Sequence, residues 1–287
     1  MHGRTLLIGE LITNSGSGLQ GDIITTTALG GSPLMAITQM STGHTPLKRA
    51  LQPVDPQFVS QQISASLDSP GVDSIKIGIL PSQEIIDVVI HCLSTTFQDI
   101  PIVMCPITVS DLGEALIDAP CIKKITDKLF KHLIVLVLSV REAELLSGED
   151  ITDLESMCEI AHKLLKYGSQ AILITGGILT GDNHYDVFVT AKSKEKVLSH
   201  RKSQNQIEEK YNFCGSWVLA TAIATRLGQG YNLTQALNHS RQYVNNAILN
   251  AETNGNDYQN LNLIHSITPF AANETNSAYS ILSNKTP

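Results

Sequence analysis

Two charged side chains and one thiol occupy sequence positions at which they could bind a ligand or take part in catalysis. Lys76 lies within the apolar run at residues 74–80. An unpaired charge there would be costly, so we expect it to pair with a carboxylate, to reach solvent or to contact a ligand. Glu142 opens an apolar helical stretch, where the helix dipole stabilises a carboxylate with or without a bound metal ion. Cys214 also precedes an apolar helix, where a thiol can be reactive or simply buried and inert.

The histidines and cysteines do not predict a metal site or a disulfide framework. None of the nine histidines has metal-like spacing to another histidine, a cysteine or a carboxylate. The five cysteines are odd in number and widely spread, and they contain no CxxC pair. We therefore predict that they are reduced thiols.

Apolar runs of strand length alternate with helical stretches along the chain. The runs cover residues 5–8, 74–80, 101–107, 133–138 and 171–175. Their continuous apolarity is typical of strands that helices cover on both faces. This order predicts an α/β fold with a mostly parallel sheet and with ligands at the carboxyl ends of its strands.

Local signals mark several helix ends and one hairpin. Thr152 and Glu155 have the spacing of a capping box, and Gly168 is placed for a left-handed helix end. Ser82 and Pro56 mark the starts of two earlier helices. Residues 181–200 predict an antiparallel hairpin at the sheet edge. We predict one domain over residues 1–270 and a polar tail, prone to fray, over residues 271–287.

Composition excludes several classes of protein. The chain of 287 residues is 42% hydrophobic and 16% charged, and no apolar run is long enough to cross a bilayer. A net charge of −7 argues against nucleic acid as a partner. The first residues lack the features of a secretory signal, so we expect a soluble protein of the cytoplasm.

Several short motifs follow one another in a recognisable order. They are GLQGD at residues 18–22, ALG at 28–30, DPQFVSQQ at 55–62, KIGIL at 76–80, EAELLSG at 142–148, TGG at 175–177, LTQA at 233–236 and QYVNNAILNA at 242–251. Taken together, they resemble the hydroxymethylpyrimidine/phosphomethylpyrimidine kinases, the thiamin-pathway members of the ribokinase-like fold. The resemblance runs from about residue 6 to residue 254.

The resemblance implies a three-layer α/β/α sandwich and an ATP- and Mg²⁺-dependent phosphotransferase. Its substrate would be a pyrimidine hydroxymethyl group or the corresponding phosphate, and family members are often homodimers. Catalysis of this kind positions a hydroxyl in line with the γ-phosphate while a general base, metal and backbone N–H groups assist.

The phosphate-binding turn of the family corresponds to residues 212–217, ahead of a helix predicted over residues 218–227. The resemblance places Cys214, Gly215 and Ser216 at the catalytic centre. The reactive position falls on Ser216 or on Trp217, depending on which segment is aligned. Ser216 could donate a hydrogen bond but would accept a proton poorly, and Trp217 could not accept one at all.

The resemblance also assigns the remaining site residues. Substrate-binding positions are Ile12, Gly18, Met40 and Ile107; nucleotide-binding positions are Ser139, Thr175, Gly176 and Gly177; Glu142 would help to hold the metal through water. Lys76 and the pair at residues 113–114 are retained. Other positions depart from the family, which has Asp at Ile12, Gln at Met40, Asp at Cys105, Asn at Ser139 and Lys at Thr175.

These departures leave two alternatives beside the kinase interpretation. One is a non-catalytic relative that binds a small molecule or serves as a dimeric scaffold, which the apolar replacements Ile12, Met40 and Trp217 favour. The other is a kinase for a different hydroxymethyl heterocycle, such as a pyridoxal-like compound.

Overall fold

The structure, a computed structural model, describes residues 2–13, 17–42, 50–96, 99–109, 115–176, 183–191, 193–201, 208–254 and 258–267. The predicted tail at residues 271–287 lies outside this set, so it stays a prediction. Within the described residues, strands and helices alternate as the sequence predicts.

A nine-stranded sheet forms the centre of the fold, in the order β3-β2-β1-β4-β5-β6-β7-β8-β9. β1, β2 and β4 to β7 run parallel, whereas β3, β8 and β9 are antiparallel to their neighbours. The strands are β1 (Arg4–Ile12), β2 (Ser32–Thr42), β3 (Ala50–Pro53), β4 (Ser74–Ile77), β5 (Ile102–Met104), β6 (Val135–Ser139), β7 (Ala171–Thr175), β8 (Asn183–Thr190) and β9 (Ser193–Arg201), with a separate pair β10 (Glu252–Asn254) and β11 (Tyr258–Asn260). The mostly parallel sheet and its edge hairpin β8–β9 are confirmed.

Helices cover both faces of this sheet. They are α1 (Gly18–Ala28), α2 (Pro56–Asp68), α3 (Gln83–Thr96), α4 (Ala119–Lys124), α5 (Val140–Ser147), α6 (Leu154–Leu165), α7 (Glu208–Gly228) and α8 (Leu233–Leu249); short irregular helical turns follow α4 over Ile125–Leu129 and Phe130–His132. Leu136 and Leu138 of β6 belong to an apolar cluster that includes residues of α2 to α6, and Val135 and Val137 belong to one that includes residues of α7 and α8. Because successive strand residues point to opposite faces, both faces are apolar, which confirms the three-layer sandwich.

Side chains fix several helix starts where the sequence places them. Asp55 accepts a hydrogen bond from Phe58 N at 3.1 Å, with Pro56 in the first turn of α2. Ser82 Oγ accepts one from Ile85 N at 3.3 Å ahead of α3. The predicted capping box at Thr152 and Glu155 is wrong by one residue, because Asp153 and Ser156 cap α6 instead.

Helix α7 differs most from the sequence prediction. It begins at Glu208, ten residues before the predicted start at Val218, and continues to Gly228. The segment 212–217 is therefore helical rather than a turn. Its amides take part in the helix ladder, since only the first four N–H groups of a helix lack an intrahelical acceptor.

Within the described part of the chain, no helix has both the length and the apolarity that a bilayer crossing requires. The four cysteines whose side chains are described, Cys92, Cys105, Cys121 and Cys158, are free thiols.

Candidate active site

The parallel strands bring their carboxyl ends to one edge of the sheet, and most of the predicted site residues lie there. Ile12 ends β1 and Met40 lies near the end of β2. Ser139 and Thr175 are register partners at the ends of β6 and β7. Ligands of open parallel sheets bind at this edge, so the topology brings together residues that are far apart in sequence.

A buried polar network lies behind this edge. Lys76 Nζ is 2.8 Å from Asp22 Oδ2, and the Thr221 hydroxyl donates a hydrogen bond to the other carboxylate oxygen. The network joins β4, α1 and α7. The expectation that Lys76 pairs with a carboxylate is confirmed, and the pairing offsets the cost of burying its charge.

Glu142 is held by groups around the start of α5. Its Oε2 accepts hydrogen bonds from Ser139 N at 2.8 Å and from Ser139 Oγ at 2.9 Å, and its Oε1 accepts one from Thr108 N at 3.2 Å. Ile107 has φ +49°, a strained conformation for a β-branched residue. A further backbone hydrogen bond joins Ile107 to Glu142, so consecutive amides converge on the carboxylate.

These contacts give Glu142 a structural role whether or not a metal ion is bound. Burial raises the pKa of Glu142, against the lowering effect of its hydrogen bonds to Ser139, Thr108 and Ile107. Among the described residues, no group of three or more His, Cys, Asp or Glu side chains could hold a metal ion. Glu142 is the capping-box acid of α5, and its contribution to a metal site stays a prediction.

Cys105 lies among the buried charged groups in the position where the family has Asp. Burial and the nearby Glu142 raise the pKa of its thiol well above the ordinary value, and a hydrogen bond with the Ser216 hydroxyl opposes the rise. The thiol therefore stays protonated at neutral pH. Neither Cys105 nor the buried Ser216 has the charge of the acid that Cys105 replaces.

Trp217 is 2% exposed and belongs to the apolar cluster that contains Cys105, Val137 and Ile223. Lys76 Nζ lies 6.0 Å from the centroid of its ring, at the outer limit of a cation–π contact. The indole N–H has no hydrogen-bond acceptor within the described residues. Trp217 thus fills the core beneath the site with an aromatic ring that cannot accept a proton.

The predicted catalytic residues Cys214, Gly215 and Ser216 are consecutive in α7. Gly215 is in the helix interior, and a Cβ built there would meet nothing within 4 Å. The prediction that amides near Gly215 converge on an anion at a helix start is therefore wrong, because the helix starts at Glu208. The side chain of Cys214 lies outside the described residues.

The predicted nucleotide residues line the ends of β6 and β7. Thr175 Oγ1 donates a hydrogen bond to Leu138 O at 3.3 Å, and Gly176 N donates one to Asp186 Oδ1 at 3.4 Å. Asp186 also forms an ion pair with Arg241 of α8. Burial lowers the pKa of Arg241 to about 10, so the guanidinium is still charged at neutral pH. Gly177 lies outside the described residues.

Two of the predicted substrate residues adjoin each other, and a third is largely exposed. A Cβ built at Gly18, where φ is +61°, would lie 3.2 Å from the Ile12 side chain. Met40 is 41% exposed on β2. Sequence reasoning missed the buried polar pair Glu10 and Gln39 nearby; the available signal was a carboxylate at the end of an otherwise apolar strand.

A family model described as phosphomethylpyrimidine kinase matches residues 13–262. The chain is 30% identical over 244 residues to the hydroxymethylpyrimidine/phosphomethylpyrimidine kinase of Synechococcus elongatus, which covers 85% of this chain and 90% of that protein. It is also 30% identical over 262 residues to the thiamine biosynthesis bifunctional protein ThiED of Geobacter sulfurreducens. That match covers 91% of this chain but only 52% of ThiED, so the chain spans about half the length of that relative.

Solved structures share the fold. A phosphomethylpyrimidine kinase from Clostridium difficile 630 superposes with a TM-score of 0.72 at 26% identity, covering 85% of this chain and 99% of that one. A Staphylococcus aureus pyridoxal kinase in complex with AMP-PCP superposes with a TM-score of 0.82 at 22% identity, covering 92% and 94%. At 22% identity, the similarity to the pyridoxal kinase supports the fold alone.

Proposed function

Because the chain belongs to the phosphomethylpyrimidine kinase family, we propose that it transfers the γ-phosphoryl group of ATP to a hydroxymethylpyrimidine or to its phosphate. The observation that carries this proposal is the family match over residues 13–262. The sheet adds support, because it presents the predicted site residues on the edge where parallel sheets bind ligands.

In this proposal the two sides of the edge have different tasks. The ends of β1 and β2, with Ile12, Gly18 and Met40, hold the pyrimidine, and Ile107 on the loop after β5 adjoins it. Ser139, Thr175, Gly176 and Gly177 contact the nucleotide. Such an arrangement would align the hydroxyl with the γ-phosphate, and positioning supplies much of the rate enhancement of phosphoryl transfer.

Turnover should be slow. The reactive position falls on Ser216 or on Trp217, and neither can serve as an effective general base at neutral pH. The loss of such a base costs about 10² to 10⁴ in rate. The protonated thiol of Cys105 replaces a carboxylate, which removes a further charge from the site.

A second candidate function is small-molecule binding without phosphoryl transfer. The specific observation in its favour is Trp217, a buried indole at one of the two positions that align with the reacting group. In that case the protein would bind the pyrimidine but would not transfer a phosphoryl group to it.

The two candidates are separated by measuring ADP release with ATP, Mg²⁺ and a hydroxymethylpyrimidine, beside the Clostridium difficile kinase as a reference. The proposal expects pyrimidine-dependent ADP at about 10² to 10⁴ below the reference rate. Pyridoxal serves as the competing alcohol in parallel reactions. Calorimetric binding of the pyrimidine without any ADP release would overturn the kinase proposal in favour of binding alone.

We also propose a cytoplasmic homodimer, on the family resemblance alone. Sedimentation velocity over a range of protein concentrations measures the assembly state. A single species with the mass of one chain, 31.1 kDa, at all concentrations would contradict the dimer.

A further inference from the structure

Asp186 and Arg241 form a buried ion pair beside the end of β7. Asp186 lies on β8, where it is the register partner of Thr175, and its side chain is 2% exposed. Arg241 lies on α8, and its side chain is 14% exposed. We propose that Asp186 and Arg241 are positioning residues, which together hold the turn at Gly176 in the conformation that binds the nucleotide.

Strand alternation directs the Asp186 side chain toward α8. Leu173 of β7 and Phe188 of β8 belong to the apolar cluster that includes residues of α7 and α8. Thr175 and Asp186 each lie two residues along the strand from these positions, so they are on the same face of the sheet. Arg241 belongs to the helix layer that covers this face. The ion pair therefore joins the sheet to α8.

The path of α8 brings Arg241 toward the ligand edge. A Cβ built at Gly228, the last residue of α7, would lie 2.5 Å from Ser74 Oγ, and Ser74 opens β4. Helix α7 thus ends near the amino ends of the strands. Helix α8 starts shortly afterwards at Leu233 and packs along α7, so it runs back toward the carboxyl ends. Arg241 lies about two turns along this return path.

The turn after β7 is held by contacts with β8. Gly176 N donates a hydrogen bond to Asp186 Oδ1 at 3.4 Å. A Cβ built at Gly176 would overlap the carbonyl oxygen of Tyr185, so the backbone of the turn lies directly against β8. Because Asp186 contacts both Gly176 and Arg241, the position of this amide depends on the ion pair. Gly176 is one of the predicted nucleotide-binding residues.

Stability alone does not account for the ion pair. Leu173, Phe188 and Val244, in the same layer, are apolar and buried. Apolar side chains of similar volume often stabilise a core as well as a buried ion pair does, or better. Arg241 Nε is buried and has no hydrogen-bond acceptor within the described residues, and an unmet donor is costly. An incompletely bonded charge pair beside a nucleotide-binding turn indicates a role in positioning.

This inference rests on the proposed function for its ligand, so its test measures nucleotide binding rather than turnover. Calorimetry with AMP-PCP and Mg²⁺ compares wild type with Asp186→Asn and with Arg241→Gln. Each substitution removes one charge of the pair and should raise the Kd about 10-fold, because the turn loses a charge-assisted anchor. Arg241→Lys keeps the positive charge and should leave the Kd within about threefold of the wild-type value.

The matched control is Asp73→Asn. Asp73 and Arg4 form an ion pair of 2.7 Å between the same two residue types, but Arg4 is at the amino end of β1, away from the ligand edge. This variant should leave the Kd for AMP-PCP unchanged. Binding is measured at a temperature at which circular dichroism shows the variants to be folded, because a loss of stability alone then leaves the Kd unchanged. If Asp186→Asn does not fold, Arg241→Gln tests the same pair from its other partner.

Five outcomes would overturn the inference. Wild type does not bind AMP-PCP; folded Asp186→Asn or Arg241→Gln binds it like wild type; Arg241→Lys binds it as weakly as Arg241→Gln; Asp73→Asn loses as much affinity as Asp186→Asn; or neither charge-removing variant folds, which would make the role of the pair structural.

The kinase proposal can fail separately. A protein that binds AMP-PCP as expected but never releases ADP with a hydroxymethylpyrimidine overturns the kinase proposal and leaves this inference standing. Pyrimidine-dependent ADP release by wild type, together with unchanged nucleotide binding in the folded variants, overturns this inference alone.

Discussion

Lys76 and Asp22 form an ion pair of 2.8 Å between side chains that are 1% and 2% exposed. The pair lies in the core, with a Thr221 hydrogen bond on the second carboxylate oxygen. Removal of one partner from such a pair costs more than the pair contributes, because the remaining charge stays buried without compensation.

Asp22→Asn should therefore lower the free energy of unfolding by about 3 to 5 kcal/mol. Urea denaturation at neutral pH measures the change. The matched control, Asp127→Asn, breaks the solvent-exposed pair between Lys123 and Asp127, and should cause little or no change. Equal losses in the two variants would mean that burial does not determine the effect.

Glu142→Gln should alter how stability depends on pH. Burial raises the pKa of Glu142 above its ordinary value of 4.5, so protonation favours the folded state. Its stabilising contribution is complete below pH 4.5 and is lost as pH rises through the folded-state pKa. The stability of wild type relative to Glu142→Gln should fall from pH 4.5 to pH 7, by about 1.4 kcal/mol for each pH unit between the two pKa values.

Glutamine is compatible with the capping box of α5, so this substitution leaves the helix start intact. Urea denaturation at the two pH values provides the comparison, with the exposed Glu159→Gln as the control for net charge. A difference between wild type and Glu142→Gln that stays constant, or that grows with pH, would contradict the raised pKa.

Gly215 and Gly176 should respond to alanine in opposite directions. A Cβ at Gly215 would meet nothing within 4 Å inside α7, so Gly215→Ala should stabilise the protein by about 0.5 to 1 kcal/mol. A Cβ at Gly176 would overlap the carbonyl oxygen of Tyr185, so Gly176→Ala should destabilise it by about 1 to 3 kcal/mol. Chemical denaturation ranks the two variants, and a loss at Gly215 would place that residue outside a regular helix.

The Cys105 thiol should resist alkylation in the folded protein. Burial keeps its pKa well above the ordinary value, and the thiolate is the reactive form. With iodoacetamide at pH 8, modification of Cys105 should be at least about 100-fold slower in buffer than in urea. Peptide mapping by mass spectrometry follows each cysteine separately. Similar rates in both conditions would show that the thiol is accessible.

Much of the sheet was predictable because several of its strands are almost continuously apolar. The run at residues 171–175 coincides with β7, and residues 5–8 lie inside β1. The long strand β2 was not predicted, since Pro33 and the polar residues near its end interrupt the apolar pattern. The start of α7 was missed because Asn212 and Gly215 are typical of turns, whereas tertiary packing of the helix overrides that preference.

The candidate site was predictable only where one residue carries the signal. Glu142 opens a helix and Lys76 interrupts an apolar run, so each pointed to a polar contact. Which partner each one finds depends on strand order, because Asp22 and Lys76 are 54 positions apart. Glu10 lies opposite Gln39 because β2 contains one extra residue. No local sequence pattern predicts the register of two parallel strands.

Contacts between α1 and α7, and between the residues that directly follow them, also constrain biosynthesis. Hydrogen bonds join Thr221 to Asp22, Thr225 to Thr26 and Gln229 to Leu29. The two partners of each hydrogen bond lie about two hundred positions apart in the sequence. A ribosome makes the first strands and helices long before it makes α7. Until α7 is made, the Lys76–Asp22 pair is exposed on the side that α7 covers in the folded protein. A chain that ends before α7 should therefore need a chaperone to avoid aggregation.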